Sequence, residues 1–328
     1  MTPANERPLT PVIVSASRAT DIPAFYSDWF FHRLGEGFVS WKNPFNGVWS
    51  RVSFEKTRLV VFWSKNPKPL VGKLRRLDDM GINYYIQFTL NDYDAEKLEP
   101  RVPNVQSRID TFLELSEKIG KEKVIWRFDP LIMTGKNGVD ELLDKVANIG
   151  GKLKGRTEKL VFSFADIGIY KKVRRNLADN HVEYREFDEK AMCEFAEGLR
   201  CLNENWGFEL ATCSEKIPLE NYGIKHNKCV DDDLMIKLFP HDKRLMNYLG
   251  VEIREPDMFN PDAATVVKKR DNKDKGQREF CGCVSSKDIG EYNTCPHLCE
   301  YCYANASRET ALANWESHLS NPFKDSIK

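Results

Sequence analysis

Six short runs rich in β-branched and aromatic residues recur along the first two-thirds of the chain: PVIVSAS (11–17), RLVVFWS (58–64), NYYIQFTL (83–90), KVIWRFD (123–129), KLVFSFAD (159–166) and GFELATC (207–213). Amphipathic stretches alternate with them, and this alternation argues for repeated βα units around a parallel sheet. The clearest helix spans 104–120, where Val105, Ile109, Phe112, Leu113 and Ile119 share one face. Pro103 stands just before it, and Gly120 can take the left-handed cap. Helical patterns also fit 24–34, 66–80 and 189–205. Between the first helix and the second strand, FVSWKNPFNGVWSRVSF (38–54) reads as a hairpin turning at Asn46-Gly47.

The expected fold class is α/β. The 328 residues suit one barrel-type domain with an appendage. Residues 1–250 carry the strand-helix rhythm, which stops after about Gly250. Residues 251–280 read as a charged linker, because Asp271, Asp274 and Glu279 interrupt the basic residues of VVKKRDNKDKGQREF. Residues 281–328 form a cysteine-rich tail. Lys and Arg together number 49, as do Asp and Glu, so no global basic field exists to hold a nucleic-acid backbone. The N-terminal stretch has no sustained apolar core, and no later segment offers the roughly 20 apolar residues of a membrane span. A cytoplasmic location without membrane partners is therefore expected.

In a reducing compartment, nine cysteines, five of them within 281–302, are better explained by metal or redox chemistry than by disulfides. The spacing Cys295-x3-Cys299-x2-Cys302 lets one loop wrap its sulfurs around a single inorganic centre. Three thiolates can bind three irons of a [4Fe-4S] cube and leave the fourth iron open to a small molecule. The alternative is a structural zinc site with His297 or another cysteine as fourth ligand. Cys213, Cys229, Cys281 and Cys283 form a second candidate group, read as an auxiliary [4Fe-4S] centre, with a four-cysteine zinc site as its rival. Cys193 and Cys201 lie on an amphipathic helical stretch and are expected to fill core space. His226 is expected to be a solvent-exposed bystander.

TCPHLCEYCYA (294–304) resembles the cluster motif of radical S-adenosylmethionine (SAM) enzymes, and is most similar to the spore photoproduct lyase branch. Residues 88–120, followed by VIWRFDPLI (124–132), resemble the third strand, helix and fourth strand of the same branch. The resemblance covers roughly residues 10 to 215 plus the tail, and implies a partial (β/α)6 TIM-like barrel. In that family the cluster loop follows the first strand, whereas VIVSASRATDIP (12–23) contains no cysteine. The motif has moved to the C-terminus, which resembles the arrangement of domain of unknown function family 1848. A permuted tail would then fold back over the barrel mouth.

By this resemblance Cys295, Cys299 and Cys302 ligate a catalytic cluster, SAM chelates its open iron, and Tyr301 lies near the adenine. Ser64, Lys65 and Asn66 occupy the place of the methionyl contact, although an ordinary polar turn before Pro67 explains them as well. Arg127 and Asp129 stand where the family contacts the SAM ribose or carboxylate, or else form an internal salt bridge. Each expected strand ends in polar residues, among them Arg18 and Asp21, Asn91, Ser163 and Glu215, as a barrel site requires. The implied activity is reductive cleavage of SAM to a 5'-deoxyadenosyl radical that abstracts hydrogen from substrate, with a flavodoxin or ferredoxin as reductant. A nucleic-acid lesion, a small metabolite and a modified peptide remain open as substrates. Two other classes fit the cysteines: a zinc-binding protein whose basic segment 268–278 touches nucleic acid, and a two-cluster electron-transfer protein.

Overall fold

A computed structural model describes residues 7–254 and 265–328. All six expected strands are present. They are β1 (Ile13–Ala16), β2 (Leu59–Ser64), β3 (Asn83–Thr89), β4 (Val124–Leu131), β5 (Lys159–Phe164) and β6 (Glu209–Thr212), joined by β7 (Ile224–His226) and β8 (Lys287–Asp288). Together they make one eight-stranded sheet in the order β7-β6-β5-β4-β3-β2-β1-β8. Every pairing in it is parallel. The sheet ends at β7 and β8, and no closed barrel occurs among the described residues. No helix of the described residues is long and apolar enough to cross a membrane.

The continuous apolar character of the strands follows from burial on both faces. Val60 and Phe62 of β2 pack with helices such as α1 (Ser27–Glu36) and α2 (Val105–Ile119), while Leu59 and Val61 face segments 229–251 and 281–284. Helix α2 begins where the sequence predicts, with the Asn104 side chain accepting from the Ser107 amide at 2.9 Å. It buries Ile109, Phe112 and Leu115, and Gly120 then takes φ +93°. The hairpin pairs Phe38–Lys42 with Trp49–Ser53. Gly47 supplies the positive φ of its turn, +70°.

Strand β8 is the decisive element, because it returns the tail to the first strand. Val14 pairs with Lys287 and Ser15 with Asp288. The Asp288 carboxylate accepts from Ser15 Oγ at 3.0 Å, Ser17 Oγ at 2.6 Å and the Arg18 amide at 2.8 Å. Gly290 follows, and a Cβ there would stand 1.9 Å from Ser17 Oγ, so only glycine permits this approach. Farther along, Asp325 accepts from the Ser40 hydroxyl at 2.8 Å and Trp29 Nε1 donates to the Lys324 carbonyl at 2.9 Å. The tail helix, Arg308–Ser320, starts at a Ser307 cap.

Several expectations change. The 66–80 stretch is not one helix but two short ones, Lys68–Val71 and Arg75–Asp79, separated at Gly72; its prolines and glycine explain the break. The expected linker 251–280 lies partly outside the described residues. Its described part includes an antiparallel pair, Val251–Arg254 with Thr265–Lys268, and a bridge between Lys273 and Val284. Val266 and Val267 give that segment β propensity despite its charged surroundings. Cys193 is only partly buried and Cys201 is exposed beside Glu197, so neither fills the core.

Candidate metal centre

Loop 291–307 leaves β8 at the carboxyl ends of the strands. Tyr26 donates its hydroxyl to the Thr294 carbonyl at 2.5 Å, and the Asn305 amide donates to the Cys295 carbonyl at 2.8 Å. The Glu300 amide donates to the Leu98 carbonyl at 2.9 Å. Leu298 adopts φ +56°, a left-handed conformation costly for leucine, which reverses the chain between the first two cysteines.

Cys299 is buried, whereas Cys295 and Cys302 are partly exposed. The three thiols interact electrostatically with one another. Burial pushes the Cys295 thiol up to about 12, against backbone N–H groups of His297 and Asp21 that point at its sulfur. It pushes Cys299 well above the ordinary thiol value, although Lys65 opposes it. The Ala304 amide donates to Cys302 Sγ at 3.3 Å. Such N–H···S contacts are a recognised means of tuning a cluster, and metal binding here would have to release thiol protons.

A tetrahedral zinc site brings its sulfurs to about 3.8 Å from one another. Among the described residues no three cysteine, histidine or acidic ligand atoms lie within 4.8 Å of one another except those of Asp231, Asp232 and Asp233. The three loop sulfurs are therefore spread more widely than one zinc ion requires. His297 does not complete a zinc set in this arrangement. Its Nε2 faces Asp21 Oδ2 at 2.9 Å and its Nδ1 faces the Arg101 carbonyl at 3.3 Å.

Ser64, Lys65 and Tyr301 join the network beneath this loop. The Ser64 hydroxyl donates to Asp21 Oδ1 at 2.7 Å and the Lys65 amide donates to Asp21 Oδ2 at 2.8 Å. Burial opposes ionisation of Asp21, but His297 and these donors hold its carboxyl below the usual carboxylate range. Lys65 Nζ reaches Glu99 at 2.7 Å and the Tyr301 hydroxyl at 2.8 Å. Tyr301 also bonds Glu99 and receives the Asn91 amide at 3.0 Å. Asn66 is half-buried, and its backbone amide donates to Ser64 Oγ at 2.9 Å.

Sequence reasoning missed Glu99 and Arg108. Charged residues in EKLEP and on the following helix carry no signal of burial in the sequence, yet Glu99 is only 5% exposed and Arg108 is 1% exposed. Arg108 Nη1 contacts Glu99 at 3.2 Å. Burial raises the Glu99 carboxyl, but Lys65 and Arg108 outweigh it and bring it to about 2.

The second group assembles from three distant segments. Cys213 Sγ lies 3.5 Å from Cys229 Sγ. Cys283 bonds the thiols of both Cys229 and Cys281, and no three of the four sulfurs lie within 4.8 Å of one another. Cys283 Sγ accepts from the Cys229 and Val230 amides at 3.2 and 3.3 Å. Cys229 Sγ accepts from Asn227 Nδ2 and Arg127 Nη1, each at 3.1 Å.

Arg127 and Asp129 thus bond each other, as the salt-bridge reading anticipates, while Arg127 also turns toward Cys229 and Gln87. Trp63 is flanked by two guanidiniums, Arg18 at 5.2 Å and Arg127 at 5.3 Å from its ring centre. Hydrogen bonds from Cys213 and Cys283, then Arg127 and Arg18, hold the Cys229 thiol well below the ordinary value. The Cys281 thiol is brought to about 6, chiefly by Cys283. Arg18 Nε and Nη2 are buried without a hydrogen-bond partner beside these thiols. An anionic centre held by four cysteines fits that donor set and would satisfy the orphaned guanidinium. His226 is a half-exposed residue that pairs with Glu220 and is not part of either group.

A cavity of about 430 Å³ lies at the opposite, amino ends of the strands, where Lys159, Lys228 and Lys237 are paired with acidic neighbours. No curated protein matches the sequence. The family described as domain of unknown function (DUF1848) matches residues 13–304, a span that includes β1 through β8, all four cysteines of the second group and the three of the loop, and the chain belongs to that family.

Proposed function

We propose that this chain is a radical SAM enzyme on a partial (β/α)6 framework, with Cys295, Cys299 and Cys302 as ligands of a [4Fe-4S] cluster. The observation that carries this reading is the parallel pairing of β8 with β1, which delivers the cysteine loop to the carboxyl ends of the strands. In the family it resembles, the loop follows the first strand; here it leaves from the neighbouring one. When bound and reduced, the cluster with SAM supplies a 5'-deoxyadenosyl radical for hydrogen abstraction. The protein's share is positional. Asp21, held by Ser64, Lys65 and His297, anchors the loop, while Glu99 and Asn91 fix the Tyr301 hydroxyl and so orient the ring beside Cys302. Flavodoxin or ferredoxin is the proposed reductant.

For the second group we propose an auxiliary [4Fe-4S] centre. A four-cysteine zinc site is its rival: Cys213 and Cys229 stand 3.5 Å apart, but no three of the four sulfurs lie within 4.8 Å of one another, so they would have to close in to the roughly 3.8 Å spacing of zinc. Protein purified without oxygen, reconstituted with iron and sulfide, and reduced in the presence of SAM should release 5'-deoxyadenosine. Cys299→Ala should abolish the product while circular dichroism stays unchanged; undiminished product from that variant would sink the assignment.

A further inference from the structure

A tyrosine platform borders the proposed cluster loop. Tyr303, next to Cys302, is 51% exposed. Its ring stacks on Tyr170 with centres 6.1 Å apart and planes inclined by 27°, and Tyr292 lies 6.4 Å away on a tilted plane. The Tyr303 hydroxyl approaches the Arg18 carbonyl at 3.5 Å, which ties the platform to the end of β1. The exposed part of Tyr303 beside the motif offers apolar surface on which a planar group could stack.

Cations surround the platform. Tyr170 immediately precedes a helix, Lys171–Asp179, that opens with Lys171, Lys172, Arg174 and Arg175. Arg278 reaches across and donates to the Tyr170 hydroxyl. Among the described residues none of these five cations has a carboxylate within ion-pair distance, whereas most lysines around the opposite cavity are paired. Lys172 feels the Cys302 thiol and Arg278 feels Cys213, so the patch lies between the two cysteine groups. In a chain with 49 cationic and 49 acidic side chains, this is a local positive field and not a general one.

We propose that this surface binds a small planar aromatic anion, its ring stacked on Tyr303 and its charge taken by Lys172 and Arg278. This rests on the radical SAM reading, for which it names the substrate class. Ring stacking and a nearby cation are the two contacts by which proteins hold such molecules, and a mononucleotide and an aromatic carboxylate share that chemistry. A polymer would need an elongated basic track, and the unpaired cations here are confined to one short helix and Arg278.

The test is isothermal titration of the reconstituted full-length protein with uridine 5'-monophosphate and, separately, with indole-3-acetate. At least one should bind about tenfold more tightly than uridine or ribose 5-phosphate and than indole or acetate, respectively. Tyr303→Ala and Lys172→Ala should each weaken that binding about tenfold, and Tyr303→Phe should preserve it. If neither probe exceeds its fragments, or if Tyr303→Ala binds as the unaltered chain does, the inference is overturned. An oligonucleotide of about ten residues binding far more tightly than uridine 5'-monophosphate, with a steep salt dependence, would overturn it in favour of a nucleic-acid polymer. Release of 5'-deoxyadenosine is measured on the same preparation without probe, so absence of SAM cleavage with intact binding would remove the radical reading and leave the aromatic-anion site standing.

Discussion

The two cysteine groups are built in opposite ways. Cys295, Cys299 and Cys302 come from one eight-residue loop, burial raises the thiols of Cys295 and Cys299, and Lys65 and Glu99 are the full charges acting on Cys299. Cys213, Cys229, Cys281 and Cys283 come from three segments, and their linked thiols are split: neighbouring thiols hold Cys229 and Cys281 below the ordinary value, while Cys213 and Cys283 are raised. A loop that brings its own ligands needs only to be docked. A group gathered from the end of β6, the segment after β7 and the start of the tail exists only when the chain is folded. On this account the second group ties the start of the tail to the sheet, while β8 and Asp21 dock the loop independently of it.

The sharpest way to break that comparison is Cys283→Ala. Cys283 is the middle link between Cys229 and Cys281 and also takes two backbone amides. All metal of the second group, about four irons or about one zinc, should be lost, with the loop's irons retained. Simultaneous loss from both groups, by metal analysis, would show that they are one site.

Glu99→Gln tests the charge beneath the loop. It would leave Lys65 and Arg108 buried without their carboxylate, a change worth about 4 kcal/mol of stability. A thermal melt should show the loss, and an unchanged midpoint would contradict the buried network. Next in size is Gly290→Ala, which forces a methyl group into Ser17 and should cost about 3 kcal/mol. Its signature should be protease sensitivity of the tail together with loss of iron from the loop. Equal protease resistance would argue against the docking role of β8.

The smallest effect concerns acid. His318, on the tail helix, packs against Tyr26 and Trp315 with Nδ1 buried and unpartnered. Burial, then Lys324, lowers its pKa from 6.5 to about 4. The unfolded chain therefore binds the proton first, so stability is full above pH 6.5 and falls as pH drops from 6.5 toward 4, by about 2 kcal/mol. Denaturant titrations across that range should show the slope, and His318→Phe should flatten it.

Much of this was legible from the residues. The six strands, the hairpin turn at Asn46-Gly47 and the loop cysteines follow from local pattern, because each is specified by adjacent residues. The gathering of Cys213, Cys229, Cys281 and Cys283 was reached only by counting unassigned cysteines. Strand β8 left no signal, since two residues, Lys287 and Asp288, cannot show an alternation, and their pairing depends on Ser15, Ser17 and Gly290 being in place. Glu99 and Arg108 were hidden for a related reason: their charges look solvated in sequence, and only the return of Tyr301 and Lys65 from elsewhere buries them.

The most direct measurement is iron, zinc and acid-labile sulfide per chain on protein purified without oxygen and reconstituted. The account predicts about eight irons and eight sulfides, or about four of each with one zinc in the second group. Zinc at both groups, with little iron persisting after reconstitution, would contradict it.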